Sequence, residues 1–167
     1  MKKFYSFMTI FCLCFILFMS SCRFGAPQTR SPIAPSIRYY PENYLQMDLP
    51  EYRLDLVRFH HTVECEDCYL IGEAILDVLE KDYSSELSQG IITYRTVNSE
   101  YLENKPLLLQ YSVMEEDFVS HLISPDHNEI KQHHDLWLMV DDDEQLRHEL
   151  TIIIEQMMTQ LKVDLDT

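Results

Sequence analysis

The chain has 167 residues, a length that one compact domain fills, and 46% of them are hydrophobic, enough to build a core. A formal charge of -15 argues against nucleic acid and against an anionic membrane surface as partners. With only three glycines, Gly25, Gly72 and Gly90, Gly-rich phosphate loops are excluded, and there is no G-x-G-x-x-G, P-loop, H-E-x-x-H or G-x-S-x-G.

The N-terminus reads as an export signal. Lys2 and Lys3 form a charged start, and Phe4 to Met19 is almost wholly apolar. The run is short for a spanning helix and stops at the small residues Ser20 and Ser21. Met19-Ser20-Ser21-Cys22 resembles a bacterial lipobox, with Met where Leu is usual. The expectation is a lipoprotein signal peptide over 1–21 and a lipidated (palmitate-bearing) Cys22. The protein would then be a membrane-anchored lipoprotein of the bacterial cell envelope, facing the periplasm. A plain secretory signal and an uncleaved anchor are the alternatives. Cys12 and Cys14 would leave with the signal, so Cys65 and Cys68 would remain as the thiol pair in a compartment where disulfides persist.

Residues 22–50 read as a tether. Pro27, Pro32, Pro35, Pro41 and Pro50 fall here, without a helical or strand period. Tyr39, Tyr40, Tyr44 and Leu45 are apolar for a linker, so part of Tyr39–Leu49 is expected to pack on the domain that follows, 51–167.

In that domain, Tyr52–Phe59 is expected to be a buried strand. Ile71, Ala74, Ile75, Val78 and Leu79 recur at helical spacing and predict an amphipathic helix starting at or just after Cys65. Gly90 can stop that helical region in a left-handed cap. The β-branched run Ile91–Val97 predicts a second strand. Lys105-Pro106 opens a short helix over Pro106–Tyr111. Asp117–Ser124 is a third strand, Pro125–Asn128 a turn and Glu129–Gln132 an edge strand. Asp143–Leu161 is the closing helix, with Leu146, Leu150, Ile153, Ile154 and Met157 on one face. This order predicts an α/β fold with a central mixed sheet flanked by helices.

The chemistry concentrates in Cys65-Glu66-Asp67-Cys68, placed between a strand and a helix. A helix N-terminus offers unpaired N–H groups and a positive dipole end. A thiolate there is stabilised and becomes nucleophilic near neutral pH. The three-residue step brings the second sulfur within disulfide reach. Glu64, Glu66 and Asp67 oppose the thiolate by like charge, and His60 and His61 offset this only when protonated. Glu66 and Asp67 thus favour a reductant-like couple.

This arrangement resembles a thioredoxin-like domain. It is similar to a group of small bacterial thioredoxin-like proteins that carry Phe-His-x-Thr before the Cys pair. Here the matching residues are Phe59-His60-His61-Thr62, followed by Asn98, Glu103-Asn104 and Tyr111. The resemblance implies thiol–disulfide exchange, with Cys65 attacking and Cys68 resolving; on the charge grounds above, His60, Glu66 and Asp67 are the supporting residues. It implies a protein disulfide substrate or redox partner and no organic cofactor; no nucleic acid is expected from the charge, and no metal for want of further ligands at a familiar spacing. The chain departs from thioredoxins in having Met114-Glu115-Glu116-Asp117 where they place a cis-proline, so a charged lip replaces the usual groove.

Two other classes compete. One is a non-catalytic binding or scaffold lipoprotein with a structural Cys65–Cys68 disulfide. The other is a metallochaperone, with His60 or His61 joining the cysteines as ligands. Zinc would need further ligands that the sequence does not place at a familiar spacing. The acidic run Asp141–Glu144 lacks EF-hand spacing and reads as a solvated helix start.

Overall fold

The middle strand of the sheet is β2, Arg53–His60, of which all but the first residue are buried. Such continuous burial marks a strand covered on both faces. The structure is a computed structural model that describes residues 37–40 and 44–165. The signal segment, Cys22 and most of the proline-rich stretch lie outside the described residues. Among the described residues, no helix is long and apolar enough to cross a membrane.

Five strands form one mixed sheet in the order β1-β3-β2-β4-β5. These are β1 (Ile37–Tyr40), β2, β3 (Ile92–Asn98), β4 (Asp117–Ile123) and β5 (Asn128–Gln132). Parallel pairing joins β2 to β3, from Leu54↔Ile92 to His60↔Asn98. A parallel pair needs a crossover. Here it is the helix α1 (Glu66–Asp82) followed by the short α2 (Ser84–Gln89). On its other side β2 runs antiparallel to β4, and β4 continues into β5 as a hairpin.

Alternation along the strands divides the core. Leu54, Leu56, Ile92, Tyr94, Phe118 and Leu122 share one cluster with α1 and with α4 (Asp143–Leu165). The apolar stripe of α1 is buried as its spacing predicts, and so are Leu146, Leu150, Ile153, Ile154 and Met157 of α4. Val57, Phe59, Val97 and Val119 form a second cluster with Leu108 and Tyr111 of α3 (Lys105–Tyr111). Helices therefore pack in both clusters, and each buried Leu or Ile contributes about 1.5–3 kcal/mol by leaving water.

Three local outcomes differ from the sequence expectation. Residues 37–40 pair antiparallel with β3 as an edge strand, and Tyr40 stacks on Tyr94 with ring centroids 5.5 Å apart. Four residues are too few to show a strand period in a proline-rich context. The helical region after Cys65 breaks at Tyr83, where φ is -129°, so Gly90 with φ of 70° ends α2 rather than one continuous helix. The closing helix runs on to Leu165.

Candidate redox site

The end of β2, the loop 61–65 and the first turn of α1 build the site. Cys65 is the N-cap of α1, in extended conformation, and its Sγ accepts the Cys68 N–H at 3.2 Å. A sulfur thus occupies the place where a Ser or Asp oxygen would satisfy one of the helix's free donors. The Cys65 carbonyl then accepts the Tyr69 N–H at 3.0 Å, the first bond of the helix. Cys65 is exposed and Cys68 is buried, and the two are joined as a disulfide with Cα atoms 5.2 Å apart.

The loop is held from the neighbouring strand. The His60 carbonyl accepts the Ser99 N–H at 2.8 Å and the Ser99 hydroxyl at 3.1 Å. Asn98 donates to the Thr62 hydroxyl at 2.9 Å, and the Thr62 N–H donates to Glu100 at 2.8 Å. Asn104 donates to the Asn98 carbonyl at 2.8 Å. Tyr111 is buried and takes a hydrogen bond from Arg95 at 2.7 Å. Thr62, Asn98 and Asn104, singled out in the sequence, therefore act on the approach to the cysteines, whereas Tyr111 packs in the second cluster.

Beneath α1 lies Arg58, a buried cation that the strand pattern did not reveal. It donates to Glu64 at 2.7 Å, to the Cys68 carbonyl at 3.0 Å and to the Tyr94 hydroxyl at 3.3 Å. Burial works against its charge, but Tyr94 and Glu64 outweigh this and hold its pKa above the ordinary value. Burial alone would raise the Glu64 carboxyl; Arg58 reverses that and holds it below the usual carboxylate range. Gly72 makes the space, since a Cβ there would stand 2.9 Å from Arg58 Cζ. A glycine inside a helix costs about 1 kcal/mol relative to alanine, and here it admits the guanidinium. The expectation that Glu64 adds to the negative field on the thiolate is corrected, because its charge is paired.

His60 is buried, with Nδ1 2.9 Å from the His61 carbonyl and 3.2 Å from Glu64. Burial, with Arg58 nearby, pushes its pKa below the ordinary histidine value, so the ring is neutral at pH 7. Glu66 and Asp67 are exposed in the first turn of α1, where their charges complement the helix dipole.

Another carboxylate reaches the sulfurs. Glu116, just before β4, places Oε2 at 3.1 Å from Cys68 Sγ. Its Oε1 lies 3.4 Å from His61 Nδ1. The segment 114–117 was legible as a charged lip. Which of its acids turns inward was not, since the contact spans 48 residues of sequence. A parity clue to Arg58 did exist: it follows Leu54 and Leu56 at strand spacing, on the side that α1 covers.

Compared with known proteins, the chain matches no family model, no curated protein and no solved structure.

Proposed function

We propose that this chain is a thioredoxin-like thiol–disulfide exchange protein, held at a bacterial envelope membrane through lipid on Cys22. The observation that carries the reading is the asymmetry of the pair, with Cys65 exposed at a helix N-terminus and Cys68 buried one turn on. In support stand a parallel β-α-β unit joined to an antiparallel hairpin, and helices in both core clusters. The lipid anchor rests on Met19–Cys22 alone.

In the reduced protein the Cys65 thiolate attacks one sulfur of a substrate disulfide. One substrate thiolate leaves, and a mixed disulfide forms. Cys68 then loses its proton, for which Glu116 is the nearest acceptor, and attacks Cys65 Sγ. The second substrate thiolate leaves, the substrate has gained two electrons, and the Cys65–Cys68 disulfide remains. A dithiol partner at the membrane must return the electrons. With Glu66, Asp67 and Glu116 all near the pair, the couple is reductant-like, on the order of -250 mV or lower.

The deciding experiment is the thiol state of Cys65 and Cys68 in intact cells by alkylation and gel shift, paired with a glutathione equilibrium on the purified protein. A reduced fraction that falls when the membrane donor is removed supports exchange. A pair that stays fully oxidised in cells and exchanges with no dithiol in vitro defeats it. That outcome leaves the binding or scaffold reading, which one observation favours: a Glu116 carboxylate, not a proline, lies against the pair. Loss of lipid labelling in Cys22→Ala tests the anchor separately.

A further inference from the structure

We infer that reduction of the Cys65–Cys68 disulfide opens a three-ligand site for zinc, formed by both sulfurs and a Glu116 carboxylate oxygen. The sequence left a metal without ligands beyond the cysteines and the adjacent histidines; the fold supplies one from the start of β4. The three ligand atoms lie within 4.8 Å of one another. With Zn–S near 2.3 Å and Zn–O near 2.0 Å, a tetrahedral ion sets sulfur and oxygen about 3.5 Å apart and two sulfurs about 3.8 Å apart. Glu116 Oε2 already stands 3.1 Å from Cys68 Sγ. On reduction the two sulfurs must separate to about 3.8 Å and the carboxylate oxygen must draw back slightly from Cys68; Cys65 is exposed, and its Sγ holds only the Cys68 N–H at 3.2 Å.

The donor set selects the ion. Two thiolates exclude magnesium and calcium, which take oxygen ligands, and the carboxylate favours zinc over copper(I). The charges suit a divalent cation: Glu116 has no arginine or lysine partner among the ion pairs of the described residues, while the nearby Arg58 is spent on Glu64. His61 acts as a positioning residue, its Nδ1 3.4 Å from the carboxylate's second oxygen, so that Oε2 is turned toward the sulfurs. Three protein ligands at a half-open edge leave the fourth position to water. That is the form of a site that exchanges or presents its ion, not of a closed structural one.

The reaction balances simply. A dithiol supplies two electrons and two protons to the disulfide and leaves as its own disulfide. Zinc then displaces both thiol protons, forming two Zn–S bonds and one Zn–O bond. A disulfide oxidant takes the two electrons, with two protons from water, and becomes a dithiol; Cys65–Cys68 re-forms, the Zn–S bonds break and the ion is released. The inference needs reduction alone and does not depend on exchange activity, which is measured separately in the presence of a chelator.

The test uses the full chain in detergent with Cys12, Cys14 and Cys22 changed to Ser, so that the pair supplies the only thiols. A phosphine reduces it, and Co²⁺ serves as the optical probe before Zn²⁺ competition. The expected result is one ion per chain, tetrahedral d–d bands and sulfur-to-cobalt charge transfer for two thiolates, all absent from the oxidised protein. Glu116→Gln should weaken binding at least tenfold, and Glu116→His should restore it with shifted d–d bands. His61→Ala should weaken it several-fold, with His61→Asn recovering affinity and spectrum. No charge-transfer band in the reduced protein would overturn the site. Glu116→Gln and Glu116→His that both bind with wild-type affinity and bands would reduce it to an adventitious dithiol.

Discussion

Two glutamates flank the cysteine pair, and their surroundings differ. Glu64 is locked to buried Arg58, which also ties down the Cys68 carbonyl and the Tyr94 hydroxyl. Glu116 meets Cys68 Sγ on one oxygen and a half-buried histidine on the other. The first arrangement is closed: each polar atom has its partner, and substitution should register as lost stability. The second is open to a proton, a cation or a change in the sulfur, so substitution there should register as altered chemistry.

The largest effect should come from Arg58→Ala. It strands a part-buried carboxylate, a carbonyl and a hydroxyl together, and it empties the space that Gly72 reserves. Removing one partner of a buried ion pair costs about 3–5 kcal/mol. Because Glu64 is partly solvated, we expect the lower end of that range, read from urea unfolding of the oxidised protein. A loss below about 1 kcal/mol would show that the clamp is not what holds the site.

Reduction of the disulfide should cost less. In the chain-entropy view a loop of four residues contributes about 2 kcal/mol. The Arg58 bond to the Cys68 carbonyl does not depend on the disulfide, so α1 should keep its circular dichroism on reduction. Melting of the helix would mean that the disulfide, and not Arg58, organises this end of β2.

Acid should then expose the Glu64–Arg58 pairing. The Glu64 pKa is depressed in the folded state, so its contribution is present above its unfolded value, near 4.5, and is lost as pH falls through the lower folded value. Wild-type stability should fall faster than that of Glu64→Gln in this window. His60 acts in a higher window. Its folded pKa is also depressed, so the unfolded chain binds a proton first and stability declines as pH drops below about 6.5. Urea titrations at stepped pH read both windows, and parallel curves for Glu64→Gln and the wild type would remove the special standing of the Arg58 pair.

Much of this organisation was legible in the sequence, and the reasons are local. The stripe from Ile71 to Leu79 and the β-branched run before Asn98 have strong periods, so their elements fall within a few residues of expectation. Cys65 falls at the strand-to-helix junction expected from the sequence, as the N-cap of α1. What escaped depends on contacts distant in sequence. β1 is four residues long and acquires its meaning only from β3. Arg58 looks like a misplaced charge until Gly72 is seen opposite it. Glu116 is one acid among three in a row, Glu115 to Asp117, and the approach of β4 to α1 decides which one meets a sulfur.

The smallest expected effect is the most informative about chemistry. Like charge beside a thiol disfavours the thiolate and so disfavours the reduced form. The sequence points to Glu66 and Asp67 as the groups that keep the couple reducing, yet both are exposed and screened by solvent. Glu116 is half-buried and 3.1 Å from Cys68 Sγ, so one carboxylate there should outweigh two in water. We predict that Glu116→Gln makes the couple more oxidising by about 30 mV, equivalent to about 1.4 kcal/mol for two electrons. The double variant Glu66→Gln with Asp67→Asn should shift it in the same direction by less. Glutathione equilibria of the three proteins, with chelator present to exclude metal, decide the order. A larger shift in the double variant would return control of the potential to the residues between the cysteines. It would also leave Glu116 as a proton acceptor whose loss slows resolution by Cys68 without moving the equilibrium.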